Sequence, residues 1–346
     1  MQATVRAARR ESAERSARLS ALRLVATASL LRAGASRLLP QTGAAGWWTT
    51  LVCTLPSLTV YMLLWGGMRL NGEQTLSAAL RARCGPWAAK LLGVVTALGL
   101  AVEGAASMIT LVTLLDEGVG VAVSPLMLAA GTAAVLCCCL IEGGLARGVQ
   151  LLRWVMAAML LWLLWEAVPQ LRADNLFPFL GRGAEETFRA ALPCAGAMWP
   201  VVLMLQVEAP DTRRRSRGWC APVAAQLVLL AVVIMIPHEV LILRTGLAEG
   251  LLAPAHFLSA LGRTLLMCLW ILVTALSCVV CASGAARAVR GFHAPWLAGG
   301  LLAVFAAVQG FGAEQVVAVL RAMQPWLLLP WVMIAAVLCF PRRRKQ

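Results

Sequence analysis

Residues 174–217 read DNLFPFLGRGAEETFRAALPCAGAMWPVVLMLQVEAPDTRRRSR, and the fold turns on how they are read. A polar loop leads into a hydrophobic segment holding Pro193, Gly196 and Pro200, and Arg213, Arg214, Arg215 and Arg217 close it. Proline removes a backbone donor and collides with the preceding turn, while glycine accepts backbone angles that other residues avoid. The segment therefore cannot be an ordinary continuous helix. Inside a bilayer such a break survives only where protein or a water-filled cavity satisfies the freed backbone groups. It is the first candidate for a binding site.

The surrounding chain is apolar almost throughout. Of its 346 residues, 60% are hydrophobic and 13% charged, with a mean hydropathy of +0.80. A soluble domain is roughly 45–50% apolar and about 25% charged, so this composition is that of a membrane protein. The net charge of +14 raises nucleic acid as a partner. The basic residues, however, are scattered between apolar runs, and the tryptophans lie in or beside those runs rather than forming a stacking platform. The bilayer, not nucleic acid, is the partner they fit.

At least eight of the 11 cysteines fall in apolar segments, including Cys137, Cys138 and Cys139, where cysteine behaves as a small hydrophobe. Cys278 and Cys281 form a CxxC without a second pair or a histidine cluster, which argues against a metal or redox site. The first twenty residues are charged and lack an apolar core, so they do not read as a signal peptide.

About ten hydrophobic segments reach the ~20 residues needed to cross a bilayer. They lie near 21–39, 47–68, 87–115, 121–141, 149–169, 188–208, 219–243, 264–286, 294–312 and 324–341. If the N-terminus is cytoplasmic and each segment crosses, the inward side holds Arg6, Arg9, Arg10, Arg15, Arg18, Arg23, Arg69, Arg81, Arg83, Lys90, Arg147 and Arg153. It also holds Arg213, Arg214, Arg215, Arg217, Arg287, Arg290, Arg342, Arg343, Arg344 and Lys345, making 22 of the 30 basic residues. The outward loops keep Asp116, Glu117, Asp174, Glu185, Glu186 and Glu249. This is the positive-inside pattern, and an added or lost span would scramble every later loop. The expected organisation is a basic cytoplasmic tail over 1–20, one polytopic transmembrane domain over 21–341, and a second basic tail over 342–346. The chain is expected to be a multi-pass protein of the cell membrane with both termini cytoplasmic.

Ten spans divide into two fives, about 21–169 and 188–341, and because five is odd the second group enters from the opposite side. That is the geometry of a 5+5 inverted repeat, as in the LeuT-like fold, in which helices 1 and 6 are discontinuous and substrate sits near the midplane. Span 6 carries Pro193, Gly196 and Pro200. Span 1, LVATASLLRAGASRLLP over 24–40, has Gly34 flanked by Arg32, Ser36 and Arg37 and ends at Pro40. Both halves carry the expected interruption.

Several ordered stretches resemble the B-subunit, or permease, of endospore germinant receptors, a branch of the amino acid–polyamine–organocation transporter superfamily. LRAGASRLLP (31–40), followed by GWW (46–48), looks like the family's first helix and the start of the second. GEQTLSAALRARCGPWAAKLLG (72–93) resembles its amphipathic segment and third helix, and GLARGVQLLRW (144–154) the start of the fifth. NLFPFLGRG (175–183) followed by ALP (191–193) is similar to the loop leading into the broken sixth helix. The pieces run in order over most of the chain. The resemblance implies a spore inner-membrane protein that senses a small nutrient, most plausibly an amino acid, with a membrane A-subunit and a lipoprotein C-subunit as partners. It implies no cofactor. One departure matters: Ala197, Met198 and Trp199 follow Gly196, where the family often has an aromatic residue and a glutamate.

Exposed backbone at a helix break offers unpaired N–H groups, and a helix N-terminus favours anions. On this reading the break at Gly34 takes an amino acid's carboxylate on the N–H groups of Ala35 and Ser36. Carbonyls from Pro193 to Ala197, including that of Gly196, then receive the ammonium. The plainer reading is that Gly34 and Gly196 permit close helix packing. Glu103 stands mid-span in the third segment with Ser107 and Thr110 at helical spacing. A carboxylate at that depth faces the bundle interior, as a ligand or proton group or as a structural ion pair with Arg32. Thr274, Ser277, Cys278 and Cys281 make a polar stripe in the eighth segment, lining a pocket or packing against another helix. The candidate ligand-binding set is thus Arg32, Gly34, Ala35, Ser36, Glu103, Ser107, Pro193, Gly196, Ala197, Trp199, Thr274 and Ser277. His238 and Glu239 after Pro237 fit a kink near the outer interface better than a proton relay, and Glu166 and Glu208 fit span ends where side chains reach water. No nucleophile–histidine–acid set, Walker loop or metal-binding set is present in the sequence, which argues against an enzyme. A proton-coupled amino-acid transporter using Glu103 is the alternative to the receptor, since sensor and carrier share a fold.

Overall fold

A chain this apolar must satisfy its backbone polar groups within each segment, and helices do so. The computed structural model describes residues 19–29, 32, 38–73, 75–118, 120, 124–141, 145–177, 179–181, 183–196, 198–203, 205, 224, 228, 256, 258–290, 295–311, 315–316, 319, 322–323 and 326–340. Among them the regular structure is helical, with no strand. In chain order the principal helices are α1 (Leu19–Ser29), α2 (Gly46–Leu70), α3 (Leu76–Cys84), α4 (Pro86–Thr113), α5 (Pro125–Ile141) and α6 (Leu145–Ala167). They continue with α7 (Ala184–Ala191), α8 (Trp199–Leu203), α9 (Ala260–Arg290), α10 (Pro295–Ala307) and α11 (Leu329–Cys339).

Three helical stretches are long and apolar enough to cross a membrane: Trp48–Leu70, Pro86–Asp116 and Ala260–Val289. Shorter apolar helices lie over the segments expected near 21–39, 121–141, 149–169, 294–312 and 324–341. The chain is an all-helical membrane protein. The segment expected near 219–243, with Pro237, His238 and Glu239, lies outside the described residues apart from 224 and 228. So do Glu208, Arg213 to Arg217 and both terminal tails up to residue 18 and from 341.

Side chains at the two ends of α2 mark where water begins. At one end Trp48 stacks on Phe179 with centroids 5.6 Å apart and donates through Nε1 to Phe179 O at 2.8 Å. At the other, Arg69 lies over the Trp65 ring at 5.2 Å, and on α4 Lys90 lies over Trp87 at 5.3 Å. Aromatic and basic residues of this kind favour the headgroup level. From Trp48 to Arg69 a helix rises about 32 Å, close to the ~30 Å hydrocarbon core. Pro56 interrupts the middle of α2, where Thr54 and Thr59 donate to Leu51 O and Leu55 O at 2.6 and 2.9 Å.

The largest helix–helix interface is that of α4 with α9, and small residues set its spacing. A Cβ on Gly93 would stand 2.7 Å from Ala288 O, one on Gly104 3.1 Å from Cys281 Cβ, and one on Gly284 2.9 Å from Leu100 Cδ1. Residue numbers rise on one helix as they fall on the other, so the two run antiparallel. Close backbone approach through small residues is the usual way membrane helices gain packing energy. Two buried clusters flank this interface. One joins Leu64, Met68, Leu80, Trp199 and Trp331; the other joins Met108, Ala133, Ala282, Leu302 and Phe305.

The short helix α3 is tied to the end of α11. Thr75 caps it, its Oγ1 accepting from Ala78 N at 3.1 Å. Arg83 Nη1 donates to Asn71 Oδ1 and to Leu338 O, both at 2.9 Å, and Asn71 Nδ2 donates to the same carbonyl at 3.1 Å. Leu338 O is one of the last carbonyls of α11, which lack partners within the helix. Arg83→Ala is expected to lower unfolding stability in detergent by about 1.5–3 kcal/mol, the range for hydrogen bonds from a charged donor. A loss below about 0.5 kcal/mol, the level of an ordinary surface change, would show that solvent replaces it.

Candidate functional site

The site is built around α4. Leu92, Thr96, Gly99, Leu100, Glu103, Ser107 and Thr110 recur at three- and four-residue spacing, and all are buried. Glu103, ten residues before the end of this 28-residue helix, is the one charged residue fully buried among the described residues. Such a carboxylate is held at large cost unless paired. Its partner is Arg32, itself helical and three residues after Ser29 in the first segment.

The Arg32 Nη2 group pairs with Glu103 Oε1, and Nη1 donates to Ser107 Oγ at 3.1 Å. Ser29 Oγ donates to Glu103 Oε2 at 3.3 Å. Ser107 follows Glu103 by one helical turn, which puts both on one face of α4. The side chains of Arg32 and Glu103 are only 12% and 4% exposed, so the pair is largely shielded from solvent. Beside it, Cys278 Sγ on α9 donates to Gly104 O at 3.7 Å, and the Phe305 ring of α10 covers Gly104.

The broken sixth segment lies against the same face of α4. Helix α7 ends at Ala191; Pro193 then sits in a 3-10 turn, Leu192–Cys194, with Ala195 N donating to Leu192 O at 3.1 Å. Gly196 is buried, and its carbonyl accepts from Trp199 N at 3.0 Å as α8 begins. The Trp199 ring lies on Gly99, one turn before Glu103: a Cβ at residue 99 would stand 2.6 Å from Trp199 Cη2. Among the described residues, the buried Trp199 Nε1 donor has no hydrogen-bond partner, nor has Ser277 Oγ on α9. Thr274 is also buried, but its hydroxyl donates back to Trp270 O at 2.6 Å.

The described site thus brings Arg32, Glu103 and Ser107 together, and sets the Trp199 ring of α8 on Gly99, one turn away on α4. Ser277 is the buried neighbour of Cys278, which touches Gly104 on α4. Gly34, Ala35, Ser36 and Ala197 lie outside the described residues. Ser29 was missed in the sequence, although its position three residues before Arg32 places both at helical spacing. Glu166, expected to reach water at a span end, is half-buried, with Oε2 enclosed against Gly262.

The loop before the break is also held in place. Gly181 has φ +58°, and its α-carbon lies so close to Thr42 O that a side chain has no room. Thr187 Oγ1 donates to Leu180 O at 3.0 Å and Cys53 Sγ to Ala191 O at 3.2 Å, fixing α7 on the Trp48 end of α2.

A guanidinium and a carboxylate with serine hydroxyls on both sides can bind one anionic and one cationic group in an apolar interior. No family model matches the chain, and no curated protein matches it in sequence.

Proposed function

We propose that the chain is the permease-like subunit of a spore nutrient-germinant receptor, which binds a small nutrient, an amino acid, near the middle of the membrane. In this reading it has ten spans in a 5+5 inverted repeat, with both termini cytoplasmic and with interruptions at Gly34 and Gly196 in spans 1 and 6. Helices α4 and α9 are spans 3 and 8 and wall the site. Their antiparallel packing supports the repeat, because an offset of five spans reverses direction. Ligand binding biases the bundle between two states, and the change passes to a membrane A-subunit and a lipoprotein C-subunit.

The observation that carries this reading is the joining of Arg32 to Glu103 beside a broken helix. Two opposite charges in an apolar interior match the two charged groups of an amino acid. The ordered sequence resemblance supplies the receptor rather than the site. A second reading, a proton-coupled amino-acid transporter, draws on the same buried Glu103, since carboxylates at membrane depth mark proton relays in transporters. Ligand accumulation in proteoliposomes by this chain alone, abolished in Glu103→Gln, would favour it.

The test is a germinant screen on spores lacking this chain, complemented with wild type or with Gly196→Leu at equal membrane levels. Wild type is expected to restore a nutrient response that Gly196→Leu does not. Equal restoration by both would remove the site from the break.

A further inference from the structure

We propose that a cavity beside α3 binds the headgroup of a phosphatidylethanolamine, its phosphate on Arg81 and its ammonium on Glu73. The cavity holds about 380 Å3 and is lined by Glu73, Thr75, Ser77, Ala78, Arg81 and Ala82. That is the size of a small ligand pocket.

The two faces of α3 have different tasks. Leu76, Ala79 and Leu80 turn one face into the core, and Arg83 ties it to Leu338 O. Ser77, Ala78, Arg81 and Ala82 share the opposite face, where the small residues leave room beside the longer ones. Two opposite charges therefore line one space, yet they do not meet. Among the described residues neither Glu73 nor Arg81 makes a side-chain hydrogen bond or an ion pair, and the Ser77 hydroxyl has no partner either. Thr75 Oγ1 accepts from Ala78 N, which leaves its own O–H to donate.

A cation, an anion and two hydroxyls facing one cavity call for a ligand with both signs of charge. A phosphate two carbons from a primary ammonium answers all four: its oxygens accept from Arg81 and the hydroxyls, and its ammonium donates to Glu73. A purely anionic headgroup, phosphatidylglycerol, meets the Glu73 carboxylate with like charge. The trimethylammonium of phosphatidylcholine has no N–H to give it. Position points to a lipid rather than a solute. Arg69 over Trp65 and Lys90 over Trp87 lie on either side of α3 in the chain and set it at the headgroup level. Leu70, Trp87 and Leu91 are exposed at the adjoining helix ends and offer apolar surface to acyl chains. A seated headgroup braces α3 on the face opposite its tie to α11.

Thermal unfolding of the purified full-length chain in detergent tests this, with dihexanoyl phosphatidylethanolamine, phosphatidylglycerol and phosphatidylcholine as probes. Phosphatidylethanolamine is expected to stabilise the wild type at concentrations at least about 10-fold below the other two. Arg81→Gln should abolish that advantage. Glu73→Gln, which keeps the guanidinium and removes the carboxylate, should pass it to phosphatidylglycerol. Should either variant fail to fold, Ala78→Leu, which fills the cavity and keeps both charges, takes its place and should lose the preference. Glycerophosphoethanolamine, the same headgroup without acyl chains, should bind at least about 10-fold more weakly than the lipid. Equal stabilisation by the three lipids, or a preference for phosphatidylethanolamine that survives these substitutions, would overturn the proposal. Equal binding of glycerophosphoethanolamine would overturn it in favour of a soluble phosphodiester.

Discussion

Glu103→Ala is expected to destabilise the folded chain by about 3–5 kcal/mol, the cost of leaving the opposite member of a buried ion pair uncompensated. The carboxylate holds Arg32 Nη2 and accepts from Ser29, and both side chains are almost fully enclosed. Removing it takes the carboxylate from a guanidinium that also donates to Ser107 Oγ. The decisive comparison is with Arg32→Met/Glu103→Ala, from which both charges are gone. Replacing a buried pair as a unit is often nearly neutral, so the double variant should recover most of the loss. The coupling between the two positions, read from unfolding of all four proteins in detergent, is expected to exceed about 2 kcal/mol, within the range for residues in direct contact. Additive losses would mean that the two groups do not share a buried pair.

Trp199→Ala should cost a similar amount, about 3–5 kcal/mol, by opening a cavity where a large side chain is now enclosed. Trp199 is 1% exposed, belongs to the core cluster with Leu64 and Leu100, and lies on Gly99 of α4. This contact gives the experiment a second arm. In the wild type Gly99→Ala places a methyl 2.6 Å from the tryptophan ring, an overpacking expected to cost about 1–3 kcal/mol. In the Trp199→Ala background the same methyl enters the void. Gly99→Ala is therefore expected to change sign, from destabilising alone to neutral or stabilising in the double variant. A loss of the same size in both backgrounds would place the ring elsewhere.

Much of the helical layout is legible in the sequence because hydropathy over twenty residues is a property of composition. The segments near 47–68, 87–115 and 264–286 correspond to the three long apolar helices within a few residues. The break in the sixth segment is legible for a local reason: Pro193 and Pro200 cannot donate, and the chain turns between Ala191 and Trp199. Glu103 stands out because a charge at that depth demands a partner, and Arg32 is a nearby candidate in the first segment. Contacts between distant positions left no periodic signal. Nothing local says that Trp199 lies on Gly99, that Phe305 covers Gly104, or that Arg83 reaches the last turn of α11. Each depends on how separate helices are stacked. Glu166 shows the same gap from the other side. Its position at a helix end suggests water, and the helix contact that encloses one of its carboxylate oxygens, with Gly262 on α9, has no local signal.

The central claim is that a small nutrient binds where Arg32 meets Glu103. Equilibrium binding of radiolabelled amino acids to the chain in lipid nanodiscs, wild type beside Arg32→Gln/Glu103→Gln, tests it most directly. The account predicts saturable binding of at least one amino acid to wild type, and its loss in a double variant that unfolds at a near wild-type temperature. Binding of equal affinity to both proteins would contradict it.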